Sequence, residues 1–218
     1  RKTLDRYKSV FGFAIGSPDL YDWIRENPGV VTYPISYCND PSIVGKIDNF
    51  VSINNCISVD LYGQICAESA GTRQISGTGG QLDFLESAAV SKGGKAFICM
   101  TSSFTNKEGE MVSRINPLLT PGDIVTDPRS LAYYVVTEYG GVNLVASETE
   151  MKIAEYVVQN MVDGSTLQLG IGSLPNAVGQ MIARSDLRDL GIHTEMLCDS
   201  YLDMYKAGKI TNNQKKLD

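Results

Sequence analysis

The chain has 218 residues, of which 43% are hydrophobic and 20% charged, the proportions of a globular domain that can bury a sizeable core. Its net charge is -6, with acids and bases interspersed, and this argues against nucleic acid or an anionic membrane as the main partner. No apolar run approaches the roughly 20 residues of a transmembrane helix, and the opening RKTLDRYK does not resemble a signal peptide.

The five cysteines are odd in number and none is spaced as CxxC, which predicts buried, reduced thiols and a cytoplasmic location. Only one histidine is present, so a histidine-rich zinc or iron site is disfavoured and we expect no metal. The cysteines are Cys38, Cys56, Cys66, Cys99 and Cys198.

Short apolar runs alternate with amphipathic stretches along the chain, and glycines lie at many of the joins. Residues with strand-like patterns are 10–16, 30–35, 50–60, 64–69, 95–101, 122–126, 133–137, 166–169 and 190–194. Helical spacing predicts helices at 18–27, from about 82 to 93, at 148–162, after the glycines of 170–172, and at 201–207. A tight turn is predicted at Tyr62-Gly63 and a polar hairpin at 107–111. This order is typical of one open, mainly parallel α/β sheet flanked by helices.

Two glycine-rich loops lie where α/β proteins bind ligands, between a strand and the next helix. They are Gly77 to Gln81 and Gly170 to Gly172, and neither matches the GxGxxG or P-loop pattern, so a dinucleotide-binding oxidoreductase is disfavoured. Each loop by itself is equally well explained as a structural turn. Glu195 follows a predicted strand and could act as nucleophile or base, although a solvated or salt-bridged carboxylate explains it as well. His193 is expected to be a packed or hydrogen-bonded histidine.

Several segments together resemble the acetyl-CoA hydrolase/transferase family, and within it the butyryl-CoA:acetate and 4-hydroxybutyrate CoA-transferases. They include INNCISVDLYGQICAESAGTRQISGTGGQLDF (53–84), KAFICMTS (95–102) and SRINPLL (113–119). Further segments are VTDPRS (125–130), YVVTEYG (134–140), LQLGIGSLPNAV (167–178) and DLGIHTEMLCDSYLDMYKAGKITN (189–212). The resemblance implies a CoA-transferase (NagB-like) fold, and acyl-CoA with a short-chain carboxylate as substrates.

The resemblance also implies roles for individual residues. Glu195 matches the catalytic glutamate of an HTEM motif, and a ping-pong reaction through a glutamyl-CoA thioester would need no metal and no covalently bound cofactor. The loop Gly77 to Gln81 matches the stretch beside the thioester, where amides of Gly79 and Gly80 would stabilise an oxyanion. The remaining matches are Gln168, Gly170 and Gly172 beside the glutamate, and Asn54 near the thioester.

The order of these segments differs from that of the family. Residues 148–218 correspond to the earlier part of the family domain and residues 1–144 to its later part, which predicts a single circularly permuted domain joined near 145–147. The similar sequences RKTLD (1–5) and QKKLD (214–218) mark the seam. Permutation is tolerated where termini lie close together on the surface.

The N-terminal domain of the family is not represented, and we expect it to be the missing partner that closes the active site. Transferase turnover by this chain alone is therefore expected to be weak or absent. The alternatives are a non-catalytic folded module that binds CoA at most weakly, and an acyl-CoA hydrolase that uses the same glutamate. Apolar surface exposed by the absence of the N-terminal domain could drive self-association into a homo-oligomer.

Overall fold

The computed structural model describes residues 4–131, 134–139 and 146–213. Its helices are α1 (Pro18–Ile24), α2 (Ile35–Cys38), α3 (Pro41–Val44), α4 (Gln81–Val90), α5 (Ala146–Gln159), α6 (Ser173–Arg184) and α7 (Asp199–Lys206). The strands of the first half are β1 (Ser9–Phe11), β2 (Phe13–Ala14), β3 (Val30–Thr32), β4 (Phe50–Asn55), β5 (Ser58–Asp60), β6 (Ile65–Cys66), β7 (Ser69–Ala70) and β8 (Arg73–Gln74). Those of the second half are β9 (Lys95–Cys99), β10 (Ser103–Thr105), β11 (Met111–Ser113), β12 (Ile115–Asn116), β13 (Tyr134–Val136), β14 (Thr166–Leu169), β15 (Gly191–Ile192) and β16 (Met196–Leu197).

A five-stranded parallel sheet in the order β13-β9-β4-β14-β15 forms the centre of the fold. Its two longest strands, β4 and β9, lie next to each other. On the other side of β4 lies β14, with Leu167 opposite Val51. Parallel neighbours need crossover connections, and these are made by the helices that cover the sheet. The C-terminal third of the chain therefore supplies a strand next to the middle of the sheet.

The two faces of the central sheet are covered by two separate hydrophobic clusters. Successive residues of a strand point to opposite faces. In β4, Val51 and Ile53 belong to the cluster that includes residues of α5, α6 and α7, whereas Phe50 belongs to the cluster that includes α4. The rings of Phe50 and Phe84 stack with centroids 6.2 Å apart, which fixes α4 on its face. The predicted class, an open and mainly parallel α/β sheet flanked by helices, is confirmed.

Most of the predicted elements are present, often with shorter bounds. The turn at Tyr62-Gly63 joins β5 to β6, with Gly63 at φ 83°, and the polar hairpin connects β10 to β11. Helix α1 begins as expected with Pro18 in its first turn, and its N-cap Ser17 accepts a hydrogen bond from the Leu20 amide at 3.4 Å. None of the helices in the described part of the chain is long and apolar enough to cross a membrane.

Some predicted elements are wrong. Residues 122–126 form no strand; they are irregular, and the Thr126 amide donates to the Ile65 carbonyl instead. The long strands predicted at 10–16 and 50–60 are each divided in two, and the short helices α2 and α3 were not predicted. Of the predicted junction at 145–147, Val145 lies outside the described residues, while Ala146 and Ser147 belong to α5.

Candidate active site

Glu195 lies between β15 and β16, beside the point where the first strands of the chain bend. Its carbonyl oxygen accepts hydrogen bonds from the amides of Gly12 at 2.7 Å and Phe13 at 2.9 Å. A Cβ added at Gly12 would lie 3.0 Å from that oxygen and would overlap the side chain of Ile35. The glycine is therefore what allows the β1–β2 segment to approach Glu195 this closely. The Glu195 side chain is partly buried.

The glycine loop, residues Gly77 to Gln81, leads into α4 and reaches the Glu195 carboxylate. Gly80 is the N-cap of α4 and no side chain caps this end. A Cβ added at Gly80 would overlap Oε2 of Glu195 and Nδ2 of Asn39. The backbone of the loop thus lies directly against the carboxylate, at a helix N-terminus whose amides favour negative charge.

A buried polar network forms the base of the site on two neighbouring strands, β4 and β14. Nδ2 of Asn54 donates to Oγ of Ser52 at 2.9 Å and to Oε1 of Gln168 at 3.3 Å. Ser52 Oγ also donates to Gln168 Oε1, at 3.3 Å. Because both donor bonds of Asn54 are directed to this network, its Oδ1 faces Gly170, where an added Cβ would lie 2.7 Å from it.

A cavity of about 490 Å³ lies above this network, a size typical of small-molecule sites. Eight of the nine predicted site residues line it: Glu195, Gly77, Gly79, Gly80, Gln81, Asn54, Gln168 and Gly170. The ninth, Gly172, does not line it and instead caps α6 with φ 133°. The structure therefore brings both glycine-rich loops and Glu195 together, although they are far apart in the sequence.

Other cavity-lining residues were not identified from the sequence. They are mostly apolar and come from several elements, and they include Phe13, Cys56, Ile57, Ala67 and Met196. Scattered apolar residues of this kind carry no sequence signal that separates a pocket wall from ordinary core.

The sequence model of one protein family, the acetyl-CoA hydrolase/transferase C-terminal domain, matches residues 16–159. The chain belongs to this family. The butyryl-CoA:acetate CoA-transferase of Anaerostipes caccae is 55% identical over 144 residues, which cover 66% of this chain and 32% of that protein. The 4-hydroxybutyrate coenzyme A transferase of Clostridium kluyveri is 51% identical over 144 residues, or 66% of this chain and 33% of that protein. The crystal structure of RipA from Yersinia pestis shares 40% identity with a TM-score of 0.57, over 74% of this chain and 35% of that one.

The chain thus spans about a third of the length of the family members that it matches. The family model includes Asn54 and the glycine loop and ends at residue 159, so Gln168, Gly170, Gly172 and Glu195 lie beyond the matched range. All four residues lie in the sequence motifs, and Gln168, Gly170 and Glu195 also line the cavity.

Two buried carboxylates stand behind the glycine loop and were not singled out in the sequence. Asp127 is fully buried and accepts a hydrogen bond from Nε2 of Gln81 at 2.5 Å. Glu68 is also buried and accepts a hydrogen bond from Oγ1 of Thr78 at 3.0 Å. Burial, with a contribution from the Glu68 charge, raises the pKa of Asp127 to about 6, against the opposing effect of the Gln81 hydrogen bond.

The histidine and the cysteines are parts of the core. His193 is buried, with Nε2 3.1 Å from the Cys38 carbonyl oxygen, as expected for a packed histidine. All five cysteines are buried and none forms a disulfide. Cys56 lines the cavity, but burial raises the pKa of its thiol, which disfavours the reactive thiolate. The cytoplasmic location stays a prediction.

Among the residues that the structure describes, no group of three His, Cys, Asp or Glu side chains is placed to hold a metal ion. The polar groups that face the cavity are a carboxylate, amides and hydroxyls. This donor set fits chemistry on a carbonyl compound, in which a carboxylate attacks and amides stabilise an oxyanion.

Proposed function

We propose that this chain carries the nucleophile of a coenzyme A transferase, and that Glu195 is that nucleophile. The substrates are an acyl-CoA and a short-chain carboxylate of the butyrate, 4-hydroxybutyrate or acetate type. One observation supports this most: the Glu195 carboxylate lies against Gly80, near the end of the glycine loop, and both line a cavity of about 490 Å³. The names of the relatives from Anaerostipes caccae and Clostridium kluyveri support the class of substrate.

The proposed reaction moves coenzyme A from one carboxylate to another without any net proton transfer. Glu195 attacks the thioester carbonyl of the acyl-CoA and expels the CoA thiolate, leaving a mixed anhydride. The thiolate then attacks the glutamyl carbonyl of the anhydride, which releases the first carboxylate and forms a glutamyl-CoA thioester. The second carboxylate attacks this thioester, and the thiolate returns to the new acyl group, which regenerates Glu195.

The oxyanions of these steps need hydrogen-bond donors that are already in place. The amides of Gly79 and Gly80 are suitable, because neither donates to another backbone group of the described residues. Asn54 is less suitable, because both of its donor bonds are made to Ser52 and Gln168. We therefore assign the donor role to the two glycines, and to Asn54 and Gln168 the role of shaping the cavity base beneath Gly170.

Acyl-CoA hydrolysis is the second candidate function, because the family to which the chain belongs is named for hydrolases as well as transferases. The same glutamyl or anhydride intermediate would then be captured by water. Because the chain spans about a third of its relatives' length, the remaining part of such a protein is expected to exclude water from the cavity. Without that part, transfer is expected to be weak and hydrolysis relatively favoured. A folded module with weak CoA binding and no turnover is the remaining alternative.

A transfer assay separates these functions. Butyryl-CoA and acetate are incubated with the chain alone, and with the chain plus the remaining part of the Anaerostipes caccae relative. Transfer gives acetyl-CoA, and hydrolysis gives free CoA even when acetate is left out. We expect acetyl-CoA to form faster in the mixture than with the chain alone, and Glu195→Gln to abolish it. Equal turnover by Glu195→Gln and the unchanged chain would overturn the proposal.

A further inference from the structure

The part of the glycine loop that precedes Gly80 is not held by packing. A Cβ added at Gly77 or Gly79 would meet no atom within 4 Å. Gly79 has φ 61°, in the left-handed region that glycine adopts readily, and no side chain caps the helix that follows. Packing holds the loop at Gly80, so something other than close packing must fix the part of the loop before Gly80 relative to Glu195.

Two hydrogen bonds from side chains of the loop do this, one on each side of Gly79-Gly80. Before them, Oγ1 of Thr78 donates to Oε2 of Glu68 at 3.0 Å. After them, Nε2 of Gln81 donates to Oδ2 of Asp127 at 2.5 Å. Hydrogen bonds to an ionised carboxylate are about twice as strong as neutral ones. Gly79 and Gly80 are thus flanked by two residues whose side chains are hydrogen-bonded to buried acids.

The two acids are also fixed to each other. Oγ1 of Thr126 donates to Oε1 of Glu68 at 3.2 Å, and the neighbouring Asp127 forms a β-bridge with Ile65. Thr126 Oγ1 in addition accepts a hydrogen bond from the Ala67 amide at 2.9 Å. The carbonyl of Glu68 accepts the amides of Ile75 at 2.8 Å and Ser76 at 3.2 Å, at the entry to the loop. The support is therefore a connected unit.

Burying these two carboxylates costs free energy of folding, and a purely structural contact could be made without that cost. Two carboxylates are buried near each other, and within the described ranges neither forms a salt bridge. Oδ1 of Asp127 is buried and accepts no hydrogen bond from the described residues. Buried charge without a counter-ion is disfavoured, and such unfavourable local features are concentrated at functional sites.

We propose that Glu68 and Asp127 are positioning residues that together hold the Gly79 and Gly80 amides in place against Glu195. The proposal rests on the function proposed above, because it assigns those amides to the oxyanion. The predicted behaviour is specific: loosening the support lowers the rate of reaction at Glu195 and leaves the binding of acyl-CoA nearly unchanged, since oxyanion donors act mainly in the transition state.

The test changes the loop side chains, so that the buried acids stay in place. Thr78 is exposed and Gln81 is partly buried, so Thr78→Val and Gln81→Met, singly and combined, remove the hydrogen bonds without changing a fully buried side chain. Thr78→Ser restores a hydroxyl and serves as the rescue variant. Glu108→Gln, in the exposed hairpin after β10, is the matched control for chemistry away from the site.

The first readout is ¹⁵N relaxation of the Gly79 and Gly80 amides in the 218-residue chain, which does not depend on activity. We expect order parameters near the rigid value of about 0.85 in the unchanged chain, in Thr78→Ser and in Glu108→Gln, and below about 0.6 in the double variant. Unchanged order parameters in the double variant would overturn the proposal whatever the enzymatic activity proves to be.

The second readout is the rate of glutamyl modification by butyryl-CoA, measured as a function of its concentration. We expect the saturating rate of the double variant to fall about 100-fold, the scale of losing one oxyanion donor, with half-saturation changed less than about twofold. A rate equal to that of the unchanged chain, with mobile glycine amides, would overturn the positioning role. Absence of any modification in the unchanged chain would count against the proposed function, and the relaxation result would still decide whether the two acids hold the loop.

Discussion

At the scale of single residues, the contact between Gly80 and the Glu195 carboxylate is central to the proposed function. The φ of Gly80 is -94°, which any residue adopts, so alanine is excluded here by contact and not by backbone strain. The added methyl would overlap the Glu195 carboxylate and the Asn39 amide. Gly77 provides the comparison, because a methyl there meets no atom within 4 Å.

We expect Gly80→Ala to slow modification of Glu195 by butyryl-CoA about 100-fold, the scale of losing one oxyanion donor. Gly77→Ala is expected to have a much smaller effect. The measurement is the rate of adduct formation for both variants, with circular dichroism as the control for folding. Equal rates for the two variants would show that contact with Gly80 does not control Glu195.

Asp127 gives a prediction on pH dependence. Burial raises its pKa from 3.8 to about 6, so the folded chain binds the proton more tightly than the unfolded chain does. The free energy of unfolding should therefore fall as the pH rises from about 4 to about 6, by about 3 kcal/mol from this residue. Asp127→Asn should flatten that part of the profile. Urea unfolding across this range measures it, and parallel profiles for variant and parent would contradict the assignment.

At the scale of elements, helix α6 is placed by a close approach at Gly179. A Cβ added there would lie 2.5 Å from Cβ of Ser200 in α7 and 3.2 Å from Cδ1 of Leu169 in β14. Replacing glycine by alanine in a helix ordinarily stabilises it by about 1 kcal/mol. Here the clash with Ser200 and Leu169 outweighs the gain in helix propensity, so we expect Gly179→Ala to destabilise the chain by about 1–3 kcal/mol.

Chemical unfolding of Gly179→Ala measures this, with Gln180→Ala as the matched control one residue further along the same helix. Gln180 is exposed, so its variant should stay within about 0.5 kcal/mol of the parent. An increase in stability for Gly179→Ala would mean that α6 and α7 are not packed as described.

The sequence predicted elements well where local pattern decides them and poorly where distant contacts do. Strand β14 has a leucine at every second position and lies between glycines, and its bounds were predicted as observed. Residues 122–126 have a strand-like composition, but their backbone groups pair with Ile65 and with side chains, which no local pattern reveals. Residues 10–16 are divided at Gly12 because the chain bends there around the Glu195 carbonyl.

The same distinction holds for the candidate site. The motifs around Glu195 and the two glycine-rich loops identified eight of the residues that line the cavity. Glu68 and Asp127 were missed, because an acid in a sequence is ordinarily solvated, and only the fold shows that these two are buried behind the loop. Ser52 was missed for a similar reason, as a small polar residue within an apolar strand.

At the scale of the whole molecule, we propose that the chain is a circular permutant of its family domain. The described parts of the two ends lie side by side: the Tyr7 amide donates to the Asn212 carbonyl at 3.3 Å, and Nδ2 of Asn212 donates to Oγ of Ser9 at 3.2 Å. The match to the family model ends at residue 159, while residues 166–169 form a strand next to the middle of the sheet. The contact between the ends supports an order in which residue 212 leads into residue 4, whereas the family match runs across the proposed junction at 145–147.

A rejoined chain tests this. It begins at Ala146, continues through residue 218 directly into residue 1, and ends at residue 145, so that the eight residues outside the described ends serve as the connection. We expect it to fold with a free energy of unfolding within about 1 kcal/mol of the parent, the size of a typical point mutation. A rejoined chain that stays unfolded while the parent folds would count against the permutation.

The central claim, that Glu195 forms a covalent link to coenzyme A, is tested most directly by mass spectrometry after borohydride treatment. The chain is incubated with butyryl-CoA, alone and together with the remaining part of the Anaerostipes caccae relative, and Glu195→Gln is treated in parallel. Borohydride reduces a thioester-linked glutamate to an alcohol and leaves a free carboxylate unchanged. We predict reduction at Glu195 in the parent and none in the variant. Folded parent protein that shows no reduction at Glu195 under either condition would contradict the proposed function.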